Sequence, residues 1–318
     1  MQFSIIIPVY NRPDEVRELL ASLCEQTCSD FEVIVVEDGS KVPCREVVED
    51  YAATLDVRYF VKENGGPGQA RNYGAECARG EYYVVLDSDC VLPPQYVATL
   101  QDELRREPCD AFGGPDRAHP DFTPTQKAIN YAMTSFLTTG GIRGGKRKLD
   151  KFYPRSFNMG LCRELWQQLG GFAKMRFGED IDLSIRIFKS GARCRLFPDA
   201  WVWHKRRTDL KKFFKQVHNS GIARINLYKK YPDSLKLVHM LPAAFTLSCL
   251  LVVPPVLLAV AVFVDALYQT RDIKVAALAV PASLCQLTGY GTGFLRAWWR
   301  RCVLGKGEFE AFKDNFYK

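Results

Sequence analysis

A handful of acidic, basic and imidazole positions have the types and spacing to do chemistry. Asp87-Ser88-Asp89 places two carboxylates at i and i+2 directly after the apolar run YYVVL. Hard oxygens so placed suit magnesium or manganese, ions that share their shells with substrate phosphates and water. An ion held there can neutralise charge developing on a phosphorylated leaving group. Ser88 is the spacer that lets both carboxylates face one site. An isolated D-x-D can equally be an acidic turn capping the helix after Pro93 and Pro94. Asp38 closes another apolar run, FEVIVVEDGS, where Asp-Gly-Ser is also ordinary turn chemistry. Asp180 lies in GEDID at a helix start, where a carboxylate is stabilised electrostatically. It is the best candidate for a general base, and capping by Glu179, Asp180 or Asp182 is the plainer alternative. His204 ends the aromatic run WVWH and is a permissible metal ligand. Arg71 follows GGPGQ, a loop whose N–H groups can approach an anion. That loop is not G-x-G-x-x-G, so a nicotinamide dinucleotide site is not indicated.

The elements that must position these residues are legible as alternation. FSIIIPVY, FEVIVVEDGS, VRYFV and YYVVLDSD are short β-rich runs. Helix-like stretches separate them, from about Asp14 to Gln26, near Arg45 to Leu55, and from the Gly-rich loop through GQARNYGAECARG. Strands apolar on both faces predict a mostly parallel sheet covered by helices. Ligands of such sheets bind at the carboxyl ends of strands near the switch point. Asp38 and Asp87-Ser88-Asp89 therefore share a rim. Further on, PRSFNMGLCRELWQQLGGF reads as a strand, a short helix and a Gly turn. GEDIDLSIRIFKSG reads as an amphipathic helix and CRLFPDAWVWH as one or two strands.

The last part of the chain differs in kind. LKKFFKQVHNSGIARINLYKKY is basic and amphipathic, with Leu210, Phe213, Phe214 and Val217 on one face, as suits a membrane surface. About Ala243 to Val264 and about Val275 to Leu295 carry no charge and are long enough to cross a bilayer as a hairpin. Arg296, Arg300, Arg301 and Lys306 follow, with Trp298 and Trp299 as interfacial anchors. The basic bias puts both ends of the hairpin on the cytoplasmic side. The net charge of +7 is concentrated around these segments, which points to anionic lipid and not to nucleic acid. Eleven cysteines without a C-x-x-C give no metal framework. Met1 leads straight into a strand-like run without a basic n-region, so no signal peptide is expected and the thiols are expected to stay reduced in the cytosol.

Taken in order, SIIIPVYNR, EVIVVEDGS, GPGQARNYGAECARGEYYVVLDSD, NMGLCRELWQQLGGF, GEDIDLSIRIFKSG and WVWH resemble the family 2 glycosyltransferases. The resemblance runs over roughly residues 3 to 204 and implies a GT-A fold, an α/β architecture with a mostly parallel central sheet. It implies an inverting, metal-dependent transfer from a nucleoside-diphosphate sugar, by default a UDP-sugar, with Mn2+ or Mg2+ as cofactor. Pro8, Tyr10 and Asp38 match positions that enclose the nucleotide. Arg71, Asp87 and Ser88 match nucleotide-sugar positions. Asp89, Asp87 and His204 match the metal or diphosphate site, with Asp89 the more direct ligand, and Asp180 matches the general base. The Q-x-x-R-W motif of processive synthases is missing, since Gln216 is followed by VHNSG, so addition of a single sugar is expected.

The expected organisation is a catalytic domain over 1–206, an amphipathic region over 207–236 and a membrane region over 237–318 with a short basic tail. Catalytic domain and tail are expected in the cytoplasm, at a multi-pass cell membrane. Expected partners are the donor, a glycan or lipid-linked acceptor and membrane lipids, with no nucleic acid. The alternatives are a polyprenyl-phosphate glycosyltransferase, whose acceptor phosphate needs little help from a base, and a membrane-anchored binding protein without activity.

Overall fold

A computed structural model describes residues 2–140, 152–175 and 177–308. Strand β1 (Phe3–Val9) leads to helix α1 (Pro13–Cys24), then to β2 (Phe31–Asp38) and α2 (Arg45–Tyr51). β3 (Val57–Lys62), α3 (Pro67–Glu76) and β4 (Tyr82–Leu86) follow. Next come β5 (Cys90–Val91), α4 (Tyr96–Arg106), β6 (Ala111–Gly113) and β7 (Asp116–Arg117). Two helices, α5 (Pro124–Thr134) and α6 (Phe136–Thr139), precede β8 (Asn158–Cys162). After α7 (Arg163–Leu169) and α8 (Glu179–Lys189) the chain forms β9 (Cys194–Leu196) and β10 (Val202–His204). The remainder is helical: α9 (Leu210–Lys230), α10 (Leu237–Ser248), α11 (Val253–Thr270) and α12 (Ile273–Trp298).

The described residues fall into two compact units, one of 2–117 with 152–205 and one of 118–140 with 206–308. The first is a mixed α/β unit. Its main sheet has the order β3-β2-β1-β4-β8-β6-β9. β3, β2, β1 and β4 are mutually parallel, β8 runs antiparallel to both β4 and β6, and β9 is parallel to β6. A second sheet, β5-β10-β7, has three short strands. Alternation explains why the strands read as unbroken apolar runs. Ile5, Ile7, Val33, Val35 and Val84 enter one core cluster, while Ile6, Ile34, Val36 and Val85 enter another. β1, β2 and β4 are thus apolar on both faces. Helix α1 presents Val16, Leu19, Leu20 and Leu23 to the first cluster, with Pro13 opening the helix and Asp14 and Glu15 in its first turn. Helix α3 comes very close to the sheet. A Cβ at Gly74 would stand 2.5 Å from Ile6 Cγ2, so no larger residue fits without displacement.

The amino ends of the strands are tied by a buried carboxylate. Glu32 accepts hydrogen bonds from Ser4 Oγ at 2.6 Å, Arg58 Nη2 at 2.5 Å, and the N–H and Nε of Arg79 at 2.6 and 2.9 Å. Burial pushes its carboxyl up, but these bonds outweigh burial and hold it below the ordinary range. Glu32→Ala is expected to lower stability by about 3 kcal/mol, the low end for a broken buried pair because both arginines reach solvent. The sign follows from the depressed carboxyl. Its contribution is present above the ordinary carboxylate range and is lost as pH falls through the folded-state value. Thermal melts of wild type and variant should therefore converge in acid, and a gap unchanged at low pH would refute the assignment.

The second unit is all helical. Ala128, Ile129, Ala132 and Met133 of α5 share a core with Phe213 and Val217 of α9, Val262 and Ala266 of α11, and Val275, Ala276 and Ala279 of α12. Residues 118–140, expected within the first domain, thus pack with the C-terminal helices. Helices α9 and α12 meet through glycines. A Cβ at Gly221 would lie 2.1 Å from Tyr290 O, and one at Gly293 would lie 2.0 Å from His218 O. Among the described residues, two helices are long and apolar enough to cross a membrane, Val253–Thr270 and Ile273–Val303. The second contains the expected 275–295 stretch. The first corrects the expected 243–264 stretch, which is not one helix. It breaks between Ser248 and Val253, where Pro254 and Pro255 lack the N–H groups that would continue α10. Leu250, Leu251, Val252, Leu257, Val260 and Val264 are exposed around this break and along α11. Residues 309–318 of the expected tail lie outside the described residues.

Candidate active site

The carboxyl ends of β2, β1 and β4 lie side by side, because these three strands are parallel neighbours. β1 separates β2, which precedes the crossover, from β4, which follows it. This is the switch point where ligands of such sheets bind. Asp38 ends β2, Tyr10 follows β1, and Asp87 follows β4, so all three occupy one rim. Pro8 is buried in β1 opposite Val36, and Tyr10 is 45% exposed just beyond it. β1 pairs with β4 only over Phe3–Ile6, so Pro8 deprives that ladder of no donor.

Asp38 organises the Gly-rich loop. Its Oδ1 accepts from Lys62 Nζ at 2.7 Å and from the Gly65 N–H at 2.9 Å, and its Oδ2 accepts from the Gly66 N–H at 2.7 Å. Gly66 has φ of 89°, in the region that favours glycine, and it caps α3. Helix α3 carries Arg71 inward. Its Nη2 donates to Asp87 Oδ1 at 2.7 Å and its Nη1 to Glu179 Oε1 at 3.1 Å, and its guanidinium lies 5.1 Å from the centre of the Phe172 ring.

Asp89 is buried at the entry to β5 and held from two sides. Arg12 Nη1 donates to its Oδ2 at 2.6 Å, and His204 Nε2 stands 3.2 Å from its Oδ1. The small sheet creates the second contact, since β10 pairs with β5 in the register His204 to Cys90. The same imidazole lies 3.9 Å from Asp87 Oδ2 and 3.8 Å, through Nδ1, from Asp116 Oδ2. Phe157 stacks on it at 5.0 Å. Burial pushes the Asp89 carboxyl up, yet His204 and Arg12 together hold it well below the usual carboxylate range. Ser88 is buried between the two aspartates.

Helix α8 delivers two adjacent carboxylates from its first turn, behind Gly178 with φ of 84°. Asp180 Oδ2 accepts from Arg155 Nε at 2.5 Å and its Oδ1 from the Ile181 N–H at 2.8 Å. Burial opposes ionisation of Asp180, but Arg155 and the Ile181 N–H prevail and hold its carboxyl below the ordinary range. Glu179 goes the other way. Burial, and then the charge of Asp180, push it up to about 7 despite Arg71. A raised carboxyl stabilises the fold below the unfolded value and loses that contribution as pH rises through the folded one. Stability should thus fall from pH 4.5 towards about 7 through Glu179. Glu179→Gln should flatten this limb in thermal melts, and an unaltered slope would show that another group titrates.

The expected residues Asp87, Asp89 and His204 are thus brought together. Arg71 joins them through Asp87 and reaches Glu179, the neighbour of Asp180, which pairs with Arg155, while Pro8, Tyr10 and Asp38 line the neighbouring part of the rim. Sequence reasoning missed Arg12, Arg155 and Asp116, and treated Glu179 only as a cap. The donor set fits a hard divalent ion. Ligand bonds of roughly 2.1 Å at right angles need donors about 3 Å apart, close to the 3.2 Å between Asp89 Oδ1 and His204 Nε2. The Cys90 thiol lies within 4.8 Å of the same atoms. Burial, then the charges of Asp89 and Asp87, push that thiol well above its ordinary range, and a hard ion prefers the oxygen and imidazole donors to sulfur.

Comparison with known proteins bears on this rim. A model of glycosyl transferase family 2 matches residues 4–170. The chain is 29% identical over 203 residues to the uncharacterized glycosyltransferase EpsJ of Bacillus subtilis (strain 168), over 62% of this chain and 58% of that protein. It is 27% identical over 236 residues to a chondroitin synthase of Escherichia coli, over 64% of this chain and 34% of that protein. The chain therefore covers less than two thirds of the length of either relative. Among solved structures, mannosyltransferase PcManGT from Pyrobaculum calidifontis, in complex with GDP-Man and Mn2+, superposes with a TM-score of 0.60 at 20% identity, over 90% of this chain and 87% of that one. S. aureus TarS 1-349 in complex with UDP-GlcNAc gives a TM-score of 0.54 at 18% identity, over 97% and 93%. These likenesses concern the fold, which is GT-A. With the family match extending over more than half of its length, the chain belongs to glycosyl transferase family 2.

Proposed function

We propose that this glycosyltransferase moves one sugar, with inversion, from a nucleoside-diphosphate sugar to a hydroxyl of a lipid-linked or cell-surface glycan at a membrane. The observation that carries this reading is the convergence of Asp89, Asp87 and His204 on one side of Arg71, with Glu179 and Asp180 on the other. A leaving-group site and a proton-accepting site thus flank one rim. Pro8, Tyr10 and the loop organised by Asp38 receive the nucleotide. Asp89 and His204, supported by Asp87, would hold Mn2+ or Mg2+, which when bound would neutralise charge on the departing diphosphate. Arg71 adds fixed positive charge beside that position, and Arg12 adds a second, partly solvated cation. Asp180 takes the proton of the acceptor hydroxyl. It is ionised at rest and so ready to accept, and Arg155 orients its carboxylate. The single displacement needs no enzyme nucleophile.

A UDP-sugar is the first donor to test, with GDP-sugars beside it. This rests on the UDP-GlcNAc complex of TarS and the GDP-Man complex of PcManGT. Helices α11 and α12 are proposed as a membrane hairpin with the catalytic unit and tail in the cytoplasm, supported by their length, their exposed apolar faces and the basic residues beyond them. The decisive experiment is nucleotide release by detergent-purified protein across a donor panel, with lipid extracts as acceptors. Release from one donor, abolished by chelator and restored by Mn2+ or Mg2+, is expected. Equal release in excess chelator would remove the metal from the reading. Alkaline carbonate extraction checks the anchor, since release of the protein from membranes would count against the hairpin.

A further inference from the structure

Three carboxylates of the site each pair with an arginine. Asp87 pairs with Arg71, Asp180 with Arg155 and Asp89 with Arg12. The three arginines are not equivalent. The Arg71 side chain is 4% exposed, bridges two carboxylates and packs on Phe172, so it is fixed. Arg12 is a third exposed, and Asp89 is its ion-pair partner. It sits at the start of α1, immediately after a rigid turn. Asn11 has φ of 54°, and its Oδ1 accepts from the N–H groups of Lys41 and Val42 at 2.7 and 2.9 Å. Its own N–H donates to Ser40 Oγ at 2.7 Å. That turn holds the Arg12 backbone in place and leaves a long, partly solvated side chain as the movable part.

We propose that Arg12 is an internal counter-ion for Asp89 that makes binding of the divalent ion conditional on the donor diphosphate. The inference rests on the metal reading given above. With no donor, Arg12 occupies Asp89 Oδ2, while Oδ1 faces His204. A dication entering between Asp89 and His204 meets the guanidinium as a like charge within a few ångströms. At the effective dielectric of a partly buried site, that repulsion weakens the ion by more than about tenfold. A diphosphate reverses the balance. Its oxygens are bidentate acceptors that suit a guanidinium, so Arg12 turns from Asp89 to the donor and releases a carboxylate to the ion. Linkage makes the effect mutual, and the ion tightens the diphosphate by the factor with which the diphosphate tightens the ion.

The test is a Mn2+ titration of the full chain in detergent, followed by the loss of the electron paramagnetic resonance signal of free aquated Mn2+. It is run without nucleotide, with UDP and with GDP, so turnover plays no part. Wild type should bind weakly alone and at least about tenfold more tightly with one of the nucleotides. Arg12→Met should bind Mn2+ at least about tenfold more tightly without nucleotide, and its nucleotide enhancement should shrink. Arg12→Lys, which keeps the charge, should stay near wild type. It also serves as the reading if Arg12→Met does not fold, because a Lys variant that behaved like a neutral one would sink the charge argument. If wild type binds Mn2+ and Arg12→Met binds it no more tightly without nucleotide, the counter-ion role is wrong and the metal site stands. If neither protein takes up Mn2+ with either nucleotide, the metal reading itself falls, and this inference with it.

Discussion

Asp180→Asn is expected to slow sugar transfer by about 10²- to 10⁴-fold, the usual range for loss of a general base. Donor binding should change little, because the effect lies on a step that follows it. The side chain is nearly isosteric, and its remaining carbonyl oxygen can still accept from the Ile181 N–H that now reaches Asp180 Oδ1. What disappears is the negative charge, and with it the capacity to accept a proton. The substitution also leaves Arg155 as a half-buried cation without its carboxylate. Some loss of stability should therefore accompany the loss of rate. Combining Asp180→Asn with Arg155→Gln separates the two, since the pair should regain thermal stability and stay inactive. Single-turnover nucleotide release with saturating acceptor, beside donor titration calorimetry, reads both quantities. Transfer at the wild-type rate would take Asp180 out of the mechanism and favour an acceptor, such as a lipid phosphate, that needs no base.

The second large effect is expected at Asp89. Asp89→Asn should cut turnover by about 10²- to 10³-fold, as removal of a charge-stabilising element does, and should raise the Mn2+ concentration needed for half activity. The carboxylate is buried and held between Arg12 and His204, so the substitution leaves a guanidinium and an imidazole on either side of an uncharged amide. Asp87→Asn should be milder, because Arg71 keeps a second carboxylate partner in Glu179. The order Asp89 before Asp87 is itself the measurement. Equal Mn2+ dependence in both variants and wild type would mean that neither residue holds the ion.

Much of this site is legible in the sequence because its carboxylates follow apolar runs. A buried parallel strand must end at the sheet rim, so Asp38 and Asp87 could be placed there from β2 and β4 alone. The partners of those carboxylates were not legible in the same way. Arg12 and Asp89 lie 77 positions apart, and Arg155 and Asp180 lie 25 apart. A lone arginine in a loop has no periodicity, and only the fold brings it to its carboxylate. The small sheet was hidden for another reason. Strands of two or three residues are too short to show alternation, so the pairing of β10 with β5 could not be anticipated, although His204 itself could be named. The break between α10 and α11 shows the opposite failure. Pro254-Pro255 stood in view, but absence of charge over the whole stretch outweighed a local stop signal.

Helices α5 and α6 have a consequence for how the molecule can be made and divided. The chain leaves the sheet unit after Arg117, is back in it from Phe152 and leaves again after Lys205. During synthesis α5 emerges long before the helices that cover it. Its Tyr131 hydroxyl waits for Asp265, 134 residues later, to which it donates at 2.5 Å. Until then its apolar residues Ala128, Ile129 and Ala132 have no completed core, and the ribosome has yet to supply the segments that shelter them. For the same reason no single cut separates the two units. Any piece ending near residue 206 carries α5 without α11 and α12, and a soluble form calls for rebuilding the interval from 118 to 151 as well as shortening the end.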